Sequence, residues 1–417
     1  FVQKLKDTND PLYYQIDKII LVAVPQTGTP DAVVSMLYGS KLGIAWLGVS
    51  AERSRGLVHN MPTMYNLLPS EKMFESINPP IEFFGNNIDP AWISRYGNKI
   101  NTYQELQEFL TGADGRTRPD YMDTFNPEVL NSNLLSQAES VHQTLDNWVP
   151  APETEVVQIA GWGMYTVAGL RVTDDKICQF DANQLIGGRP VCYENKDGIT
   201  VEDKLTLNGD ATVLVPSALD IPESSRVKKY WVDLGTYNSR AFIQRFTPDT
   251  KHKDILEVSS LRPFIESLIG NNLTDIDDDY VTSFEPEPLN KPYIKYDIHS
   301  PLYLTVADSA GNKTGWDSNT DTIVENIKGA QYFEIGEIKT VLIPKNIEHT
   351  VKLNAYAEGS FTLDIEELQG EEVLAETKFE AMPTLSGSIV DIIPSTDTAP
   401  AQMSIDFDAD GIVETKM

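Results

Sequence analysis

The feature that most restricts the fold is a short, unbroken apolar run at residues 19–24, which reads Ile-Ile-Leu-Val-Ala-Val and is closed by Pro25. A run of this length fits a strand, and strands of parallel sheets are typically apolar on both faces. The PQTGTP loop that follows contains Gly28 and Pro30, two residues that end regular structure. We therefore expect residues 19–24 to form a buried strand of a parallel sheet.

The chain that follows this strand has helical rather than strand character. Residues 102–110 and 132–148 both read as helices. In the second, apolar residues recur at spacings of a helix face: Leu134, Leu135, Ala138, Val141, Leu145 and Trp148. The next strand-like run is at residues 155–160. An insertion of this length predicts a helical cap over the sheet, spanning about residues 30–150.

The sequence changes character near its last third. Residues 273–292 are rich in Asp and Pro, which is typical of a linker. Short strand-like runs such as residues 360–365 follow, separated by turns, and they predict an all-β sandwich. The predicted fold class is α/β: an α/β domain at residues 1–272, a C-terminal β-sandwich at 293–400 and an acidic tail at 401–417.

The balance of charge restricts the partners. The chain has 33 Lys and Arg against 62 Asp and Glu, a net charge of −29. A field of this sign repels phosphate backbones, so nucleic acid is not an expected partner, and it disfavours anionic lipid surfaces. No apolar run approaches the ~20 residues that span a bilayer, so no transmembrane segment is expected. The charge suits a soluble protein in an extracellular setting.

Two cysteines occur in the sequence, Cys178 and Cys192. A pair without a third cysteine is typical of an oxidising compartment, and a bridge between them would contribute about 3 kcal/mol to stability. Two unrelated free thiols are the alternative. We expect the disulfide, and with it a secreted or cell-surface location.

Five landmarks follow one another along about residues 1–270. They are the strand with its PQTGTP loop and helix, the stretch Arg55…Pro62…Tyr65-Asn66-Leu67-Leu68-Pro69, IAGWG at 159–163, GDATV at 209–213 and HKDIL at 252–256. In this order and spacing they resemble the lecithin:cholesterol acyltransferase-like lipases of the α/β-hydrolase fold. The resemblance implies a partial α/β-hydrolase sheet with a helical cap, and a lipid or other acyl ester as substrate.

The resemblance also implies two catalytic positions. In that family the acid of the catalytic triad is the Asp of an Asp-x-Thr-Val turn, which matches Asp210. The histidine opens a His-x-x-apolar-apolar loop before the last helix, which matches His252. The order of acid before histidine is the one that α/β-hydrolases use.

Elementary chemistry supports the same residue types. Histidine accepts a proton near neutral pH, and a carboxylate on its other ring nitrogen fixes the tautomer and stabilises the imidazolium. Among the five histidines, only His252 is expected in a loop between a sheet element and a helix. His59 and His142 fall in the cap, and His299 and His349 fall in the β module without an evident acid partner. A solvated loop histidine is the alternative interpretation.

The nucleophile is missing from this sequence. A nucleophile elbow has the form Gly-x-Ser-x-Gly, and no serine is flanked in this way; Ser50 follows Gly48 but precedes Glu52. We expect the serine and the oxyanion hole in an upstream part of the same polypeptide. The leading interpretation is a secreted serine ester hydrolase of the lipase or esterase type. The alternatives are an acyltransferase of the same family and a non-catalytic extracellular binding or structural protein on a hydrolase scaffold.

The last acidic motif, residues 406–414, reads DFDADGIVE. Oxygen ligands stand at positions 1, 3, 5 and 9 of an EF-type loop: Asp406, Asp408, Asp410 and Glu414. The sixth position is Gly, as such loops require, but the twelfth is not Glu. Catalysis requires no cofactor on the leading interpretation. For this motif two interpretations are open, a Ca²⁺ site and a solvated acidic tail.

Overall fold

The computed structural model describes residues 2–40, 51–77, 79–120, 123–239, 249–270, 280–287, 290–299, 301–395 and 399–417. Parts of the expected linker, residues 273–279 and 288–289, lie outside the described residues, as do residues 41–50 of the expected cap.

The helices lie in the first two thirds of the chain. They are α1 Val2–Asp7, α2 Pro30–Tyr38, α3 Ala51–Val58, α4 Pro62–Tyr65, α5 Glu71–Ile77, α6 Pro90–Tyr96, α7 Tyr103–Leu110, α8 Ser132–Asp146, α9 Val215–Ala218, α10 Leu234–Ser239 and α11 Leu261–Ile269. Short 3-10 helices span Pro11–Gln15 and His252–Glu257. The start of α7 shows how local sequence sets a boundary, because Thr102 and Glu105 each accept a hydrogen bond from the other's backbone N–H.

Strands occur along the whole chain and dominate its end. The first set is β1 Lys18–Val22, β2 Ile81–Phe84, β3 Glu155–Trp162, β4 Thr166–Gln179, β5 Leu185–Ile186, β6 Arg189–Pro190, β7 Glu194–Thr206, β8 Val227–Asp233 and β9 Val281–Thr282. The second set is β10 Pro292–His299, β11 Leu302–Asp308, β12 Lys313–Asp317, β13 Thr322–Glu325, β14 Gln331–Ile335, β15 Ile338–Pro344, β16 His349–Ala355, β17 Gly359–Gln369, β18 Glu372–Thr384, β19 Ile389–Ile393, β20 Gln402–Asp406 and β21 Thr415–Lys416. The structure is therefore mixed α/β, with many strands in its C-terminal part.

A four-stranded sheet in the order β1-β3-β8-β9 organises the first part of the chain. Strand β3 is central, because it pairs in parallel with β1 on one side and with β8 on the other. Every residue of β3 after Glu155 is buried. Strand β9 pairs antiparallel with β8, so the stretch interpreted as a linker contributes a short edge strand.

The first apolar run forms β1, but it is not buried on both faces as the sequence analysis expects. All five residues of β1 are only half-buried. The reason is its position: β1 lies at the edge of the sheet, and β3 is its one neighbour among the described strands. The apolar run predicted a strand correctly. The burial of β1, however, depends on whether a second strand covers its other edge.

The cap contains a strand that the sequence analysis did not predict. Strand β2 pairs in parallel with β4, and β4 pairs antiparallel with β7 along a long hairpin. The four-residue run at β2 lies between two helices and is too short to stand out by its periodicity. The disulfide between Cys178 and Cys192 lies on this hairpin, as the sequence analysis expects.

The C-terminal strands form two antiparallel sheets, in the orders β14-β15-β10-β17-β18 and β13-β12-β11-β16-β19-β20-β21. Their facing residues share one apolar core, which includes Tyr296 and Val341. Residues 402–406, interpreted from sequence as part of an acidic tail, are strand β20 and pair with β19. The physical reason is that Met403 and Ile405 alternate into the core, where both are buried.

The C-terminal sheets pack against the cap and not only against each other. Ile335 at the end of β14 and Ile338 at the start of β15 belong to the same apolar cluster as Tyr38 of α2 and Phe83 of β2. Leu342 of β15 packs in a second cluster that contains residues of the β4–β7 hairpin. The two parts of the chain therefore share buried apolar surface.

Charged side chains are buried at this contact as well. Nδ1 of His299 lies 3.5 Å from Oδ2 of Asp175 on the hairpin, and Nε2 lies 3.6 Å from Oδ2 of Asp364 on β17. Burial lowers the pKa of His299, but the neighbouring Asp175 and Asp364 outweigh it and raise the pKa above its usual value. The sequence around His299 shows no acid at motif spacing, and the two acids that face it come from strands distant in sequence.

Arg55 of α3 connects several segments of the cap. Its side chain is fully buried. The guanidinium donates hydrogen bonds to the carbonyl oxygens of Asn126 and Asp120, each at 2.9 Å, and to that of Asp123. Asp120, Asp123 and Asn126 lie in neither a helix nor a strand, so Arg55 supplies donors that regular structure would otherwise provide.

We predict that Arg55→Met lowers the free energy of unfolding by about 3 kcal/mol or more, since buried carbonyl groups lose charged donors while the side-chain volume is nearly kept. The measurement is urea unfolding followed by circular dichroism. Arg53→Met is the matched control, because Arg53 lies exposed on the same helix, and its effect should stay within about 0.5 kcal/mol. Equal losses in both variants would contradict the role given to Arg55.

Candidate active site

Asp210 lies in the turn that follows β7, and backbone groups hold its carboxylate. The residue is 1% exposed. Oδ1 accepts hydrogen bonds from the N–H groups of Val213 at 2.7 Å and Thr212 at 3.2 Å. These bonds fix the orientation of the carboxylate and leave Oδ2 to face another group.

The turn itself is strained at one residue. Ala211 has a φ of +76°, in the left-handed region that a side chain disfavours. Its N–H donates a hydrogen bond to Oγ1 of Thr166 at 2.8 Å, which holds the turn against the start of β4. Strain of this kind costs about 1–3 kcal/mol and is concentrated at functional sites.

Two glycines allow the turn to approach the sheet closely. A Cβ atom at Gly161 of β3 would lie 2.6 Å from Cβ of Asp210, and a Cβ atom at Gly209 would lie 2.5 Å from Oγ1 of Thr166. Real side chains do not tolerate separations this short, so both positions require glycine. Both glycines belong to sequence landmarks, IAGWG and GDATV, and their lack of a side chain lets the turn that carries Asp210 lie against the sheet.

His252 faces Asp210 directly. Its Nδ1 lies 2.9 Å from Oδ2 of Asp210, and its backbone N–H donates to the carbonyl oxygen of the same residue at 3.0 Å. His252 is the first residue of a 3-10 helix, and Ile255 of that helix is buried in one apolar cluster with Val157 and Ile159 of β3. The loop that carries the histidine is thus anchored to the central strand.

The pair has defined electrostatics. The hydrogen bond to Asp210 and the negative charge of that carboxylate raise the pKa of His252, while partial burial lowers it by less. A carboxylate can only accept, so the neutral ring carries its proton on Nδ1 and its lone pair on Nε2. Nε2 has no hydrogen-bond partner among the described residues, and the side chain is 30% exposed. The imidazole of His252 is therefore oriented by Asp210, and its other nitrogen, Nε2, can accept a proton.

A cavity of about 380 Å³ lies next to the loops that carry this pair, although neither Asp210 nor His252 is among its lining residues. One wall comes from the loops of the pair themselves, through Ala211 and Thr212 after Asp210, and Lys251 and Lys253 on either side of His252. The remaining wall includes residues of α2, the hairpin and β14: Asp31, Val167, Asp203, Tyr332, Phe333, Glu334 and Ile335. The C-terminal strands therefore help to shape the space next to the pair.

Two acids in this wall, Asp31 and Asp203, have raised pKa values. Burial raises the pKa of Asp31 to about 6, although a hydrogen bond from Ser35 opposes the change. Burial and the nearby negative charge of Asp297 raise the pKa of Asp203 well above its usual value. Below a pH of about 6 the carboxyl group of Asp31 is therefore protonated and can donate a hydrogen bond to a polar group in the cavity.

The other predicted site residues lie apart from this pair. Cys178 and Cys192 form the disulfide of the hairpin. Of the four acids of the last motif, Asp406 ends strand β20, and Asp408, Asp410 and Glu414 lie in the loop between β20 and β21. No helix among the described residues is long and apolar enough to cross a membrane. The structure thus brings together the predicted acid and histidine, and the sequence offers no glycine-flanked serine to join them.

Comparison with known proteins gives one family. The sequence profile of the family described as lecithin:cholesterol acyltransferase matches residues 5–239, which is more than half of the chain. No curated protein sequence matches the chain. A chain in the crystal structure of the Tle4–Tli4 complex aligns with 18% identity and a TM-score of 0.24, over 42% of this chain and 42% of that chain. The present chain thus spans less than half the length of that protein.

We predict that Gly161→Ala lowers the pKa of His252 toward its ordinary value, because the added methyl group displaces Asp210 and loosens its hydrogen bond to the imidazole. The pKa is measured by NMR titration of the ring protons, with circular dichroism to establish that the variant is folded. Gly56→Ala is the control, since a Cβ atom at Gly56 of α3 would meet nothing within 4 Å. An unchanged titration of His252 in folded Gly161→Ala would show that the close approach does not position Asp210.

Proposed function

The chain belongs to the lecithin:cholesterol acyltransferase family, and on that premise we propose that it supplies the acid and the general base of a Ser-Asp-His ester hydrolase. The observation that carries the proposal is the 2.9 Å contact between Nδ1 of His252 and Oδ2 of Asp210. Acid and base occur along the chain in the order of α/β-hydrolases, and Nε2 has no hydrogen-bond partner among the described residues.

In the proposed reaction, Nε2 of His252 takes the proton of a serine hydroxyl while the serine oxygen attacks the ester carbonyl. Asp210 stabilises the imidazolium through Nδ1. The tetrahedral intermediate collapses, the alcohol leaves with the proton from Nε2, and the acyl group remains on the serine. Water then attacks along the same route and releases the carboxylic acid. Another alcohol in the place of water would make the reaction an acyl transfer.

We propose that the serine belongs to a segment of the same polypeptide that precedes residue 1. The sequence contains no Gly-x-Ser-x-Gly motif, although the acid and histidine of a triad are in contact. Strand β1 also supports this proposal, because its residues Ile19, Ile20, Leu21 and Val22 are apolar yet only half-buried at the sheet edge. A further strand on that edge would bury them, and a nucleophile elbow follows a strand of such a sheet.

The substrate and the location are extensions of this proposal. The family suggests a lipid or another acyl ester, and the cavity lined by Lys251 and Lys253 offers apolar walls and, below a pH of about 6, a hydrogen-bond donor in Asp31. A secreted or cell-surface location accords with the disulfide and with the net charge of −29. The C-terminal sheets would then act as an accessory unit, one of whose strands, β14, borders the substrate space.

The first test uses the complete polypeptide and a fluorophosphonate, which labels activated serines. We predict labelling and hydrolysis of a p-nitrophenyl ester, with kcat lowered by about 10⁴-fold or more in His252→Ala and in Asp210→Asn. The matched controls are Glu257→Gln and Asp254→Asn on the same 3-10 helix, which should retain activity. No labelling of the unaltered protein would favour the non-catalytic scaffold, and labelling independent of both residues would contradict the triad.

The second test is the pH dependence of kcat/KM. The base acts only when His252 is neutral, and Asp210 holds its pKa above the ordinary 6.5. We therefore predict that activity is lost as pH falls through a pKa above about 6.5. In Asp210→Asn the residual activity should persist to lower pH, since the carboxylate no longer stabilises the protonated ring. An acid limb that stays in place in Asp210→Asn would assign it to another group.

A further inference from the structure

The acidic loop between β20 and β21 is a feature that the proposed function leaves unexplained. It joins two paired strands at the edge of the seven-stranded sheet. We infer that this loop, residues 406–414, binds one Ca²⁺ ion. The inference does not depend on the proposed function, because it rests on residues of the C-terminal sheets alone.

The four acidic side chains bring one oxygen each into a small volume. One oxygen each from Asp406, Asp408, Asp410 and Glu414 lies within 4.8 Å of the others. Calcium binds oxygen at about 2.3–2.6 Å, so two ligands on opposite sides of the ion are about 4.6–5.2 Å apart. The four oxygens therefore fit the surface of a single Ca²⁺ coordination sphere, although they are spread over nine residues of sequence.

One of these carboxylates is buried without a partner for its free oxygen. Asp406 is 8% exposed, and its Oδ1 has no hydrogen-bond donor among the described residues. A buried, unpaired carboxylate oxygen costs free energy unless a cation or donor satisfies it. This observation is independent of the acidic character of the loop, and a bound cation accounts for it directly.

The backbone of the loop holds the carboxylates in place. Oδ2 of Asp406 accepts from the N–H of Gly411 at 2.9 Å, and Oε2 of Glu414 accepts from the N–H of Phe407, also at 2.9 Å. Gly411, at the sixth position, has a φ of +88°, which a side chain would disfavour. Each of these two carboxylates therefore has one oxygen tied to the backbone and a second oxygen left for an ion.

The charge of the loop favours a divalent cation. None of the four acids forms an ion pair with a cationic side chain within the part of the chain that the structure describes. Four carboxylates this close repel one another, and Ca²⁺ offsets that repulsion. The loop pattern adds the backbone carbonyl of Ile412 at position 7, and water completes the shell. Magnesium fits less well, because it retains most of its water and binds few carboxylates.

Isothermal titration of the full chain, stripped with EDTA, with CaCl₂ tests the inference. We expect one Ca²⁺ per chain with a Kd of about 10⁻⁴ M or tighter, and at least tenfold weaker binding of Mg²⁺. Asp406→Asn and Glu414→Gln should each weaken Ca²⁺ binding by tenfold or more. Bound Ca²⁺ should also raise the Tm of the unaltered chain by several degrees at saturation.

The matched control is Asp391→Asn on the neighbouring strand β19. Asp391 is exposed and forms an ion pair with Lys352 at 3.6 Å, so its replacement should leave Ca²⁺ binding unchanged. If Asp406→Asn fails to fold by circular dichroism, Glu414→Gln decides the question. Absence of saturable binding, or Ca²⁺ affinity that is the same in the loop variants and in Asp391→Asn, would overturn the inference.

Discussion

The candidate site depends on one close contact at the end of the central strand. Gly161 lies where β3 leaves the sheet, and a side chain there would collide with Cβ of Asp210 at 2.6 Å and with Cδ1 of Ile255 and of Leu234 at 3.1 Å. Three elements thus pack against the single residue Gly161: the turn with Asp210, the 3-10 helix that begins at His252 and the helix α10. Because β3 is buried and paired on both sides, it provides a rigid base for this meeting point.

The contact between the two parts of the chain is partly ionic, which is unusual for buried surface. His299 of β10 lies between Asp364 of β17 and Asp175 of the hairpin, so one of its two acidic neighbours comes from the other part of the chain. Buried pairs gain little net stability because their desolvation is costly, but each partner left alone would be strongly unfavourable. Such pairs therefore restrict how the hairpin can dock on the C-terminal sheets more than they strengthen the docking.

Local sequence predicted the elements of the site and their order. The apolar runs at β1 and β3 indicated strands, and the resemblance of the Asp210 turn and the His252 loop to the lipase family implied an acid and a base in hydrolase order. These features depend on neighbours within a few residues, where periodicity and turn chemistry act. The strand β2 inside the cap was missed because four residues carry too little periodicity to stand out between helices.

By itself, the sequence determined the strands β1 and β3, the disulfide pair, the residue types of an acid–base pair and the spacing of the acidic loop. Tertiary structure decided which strand lies at the sheet edge, so that β1 is half-buried and β3 is not. It also decided that Asp175 and Asp364 are the partners of His299, and that β14 borders the cavity beside His252. The physical reason is that burial and partners depend on contacts between segments far apart in sequence, which no local pattern records.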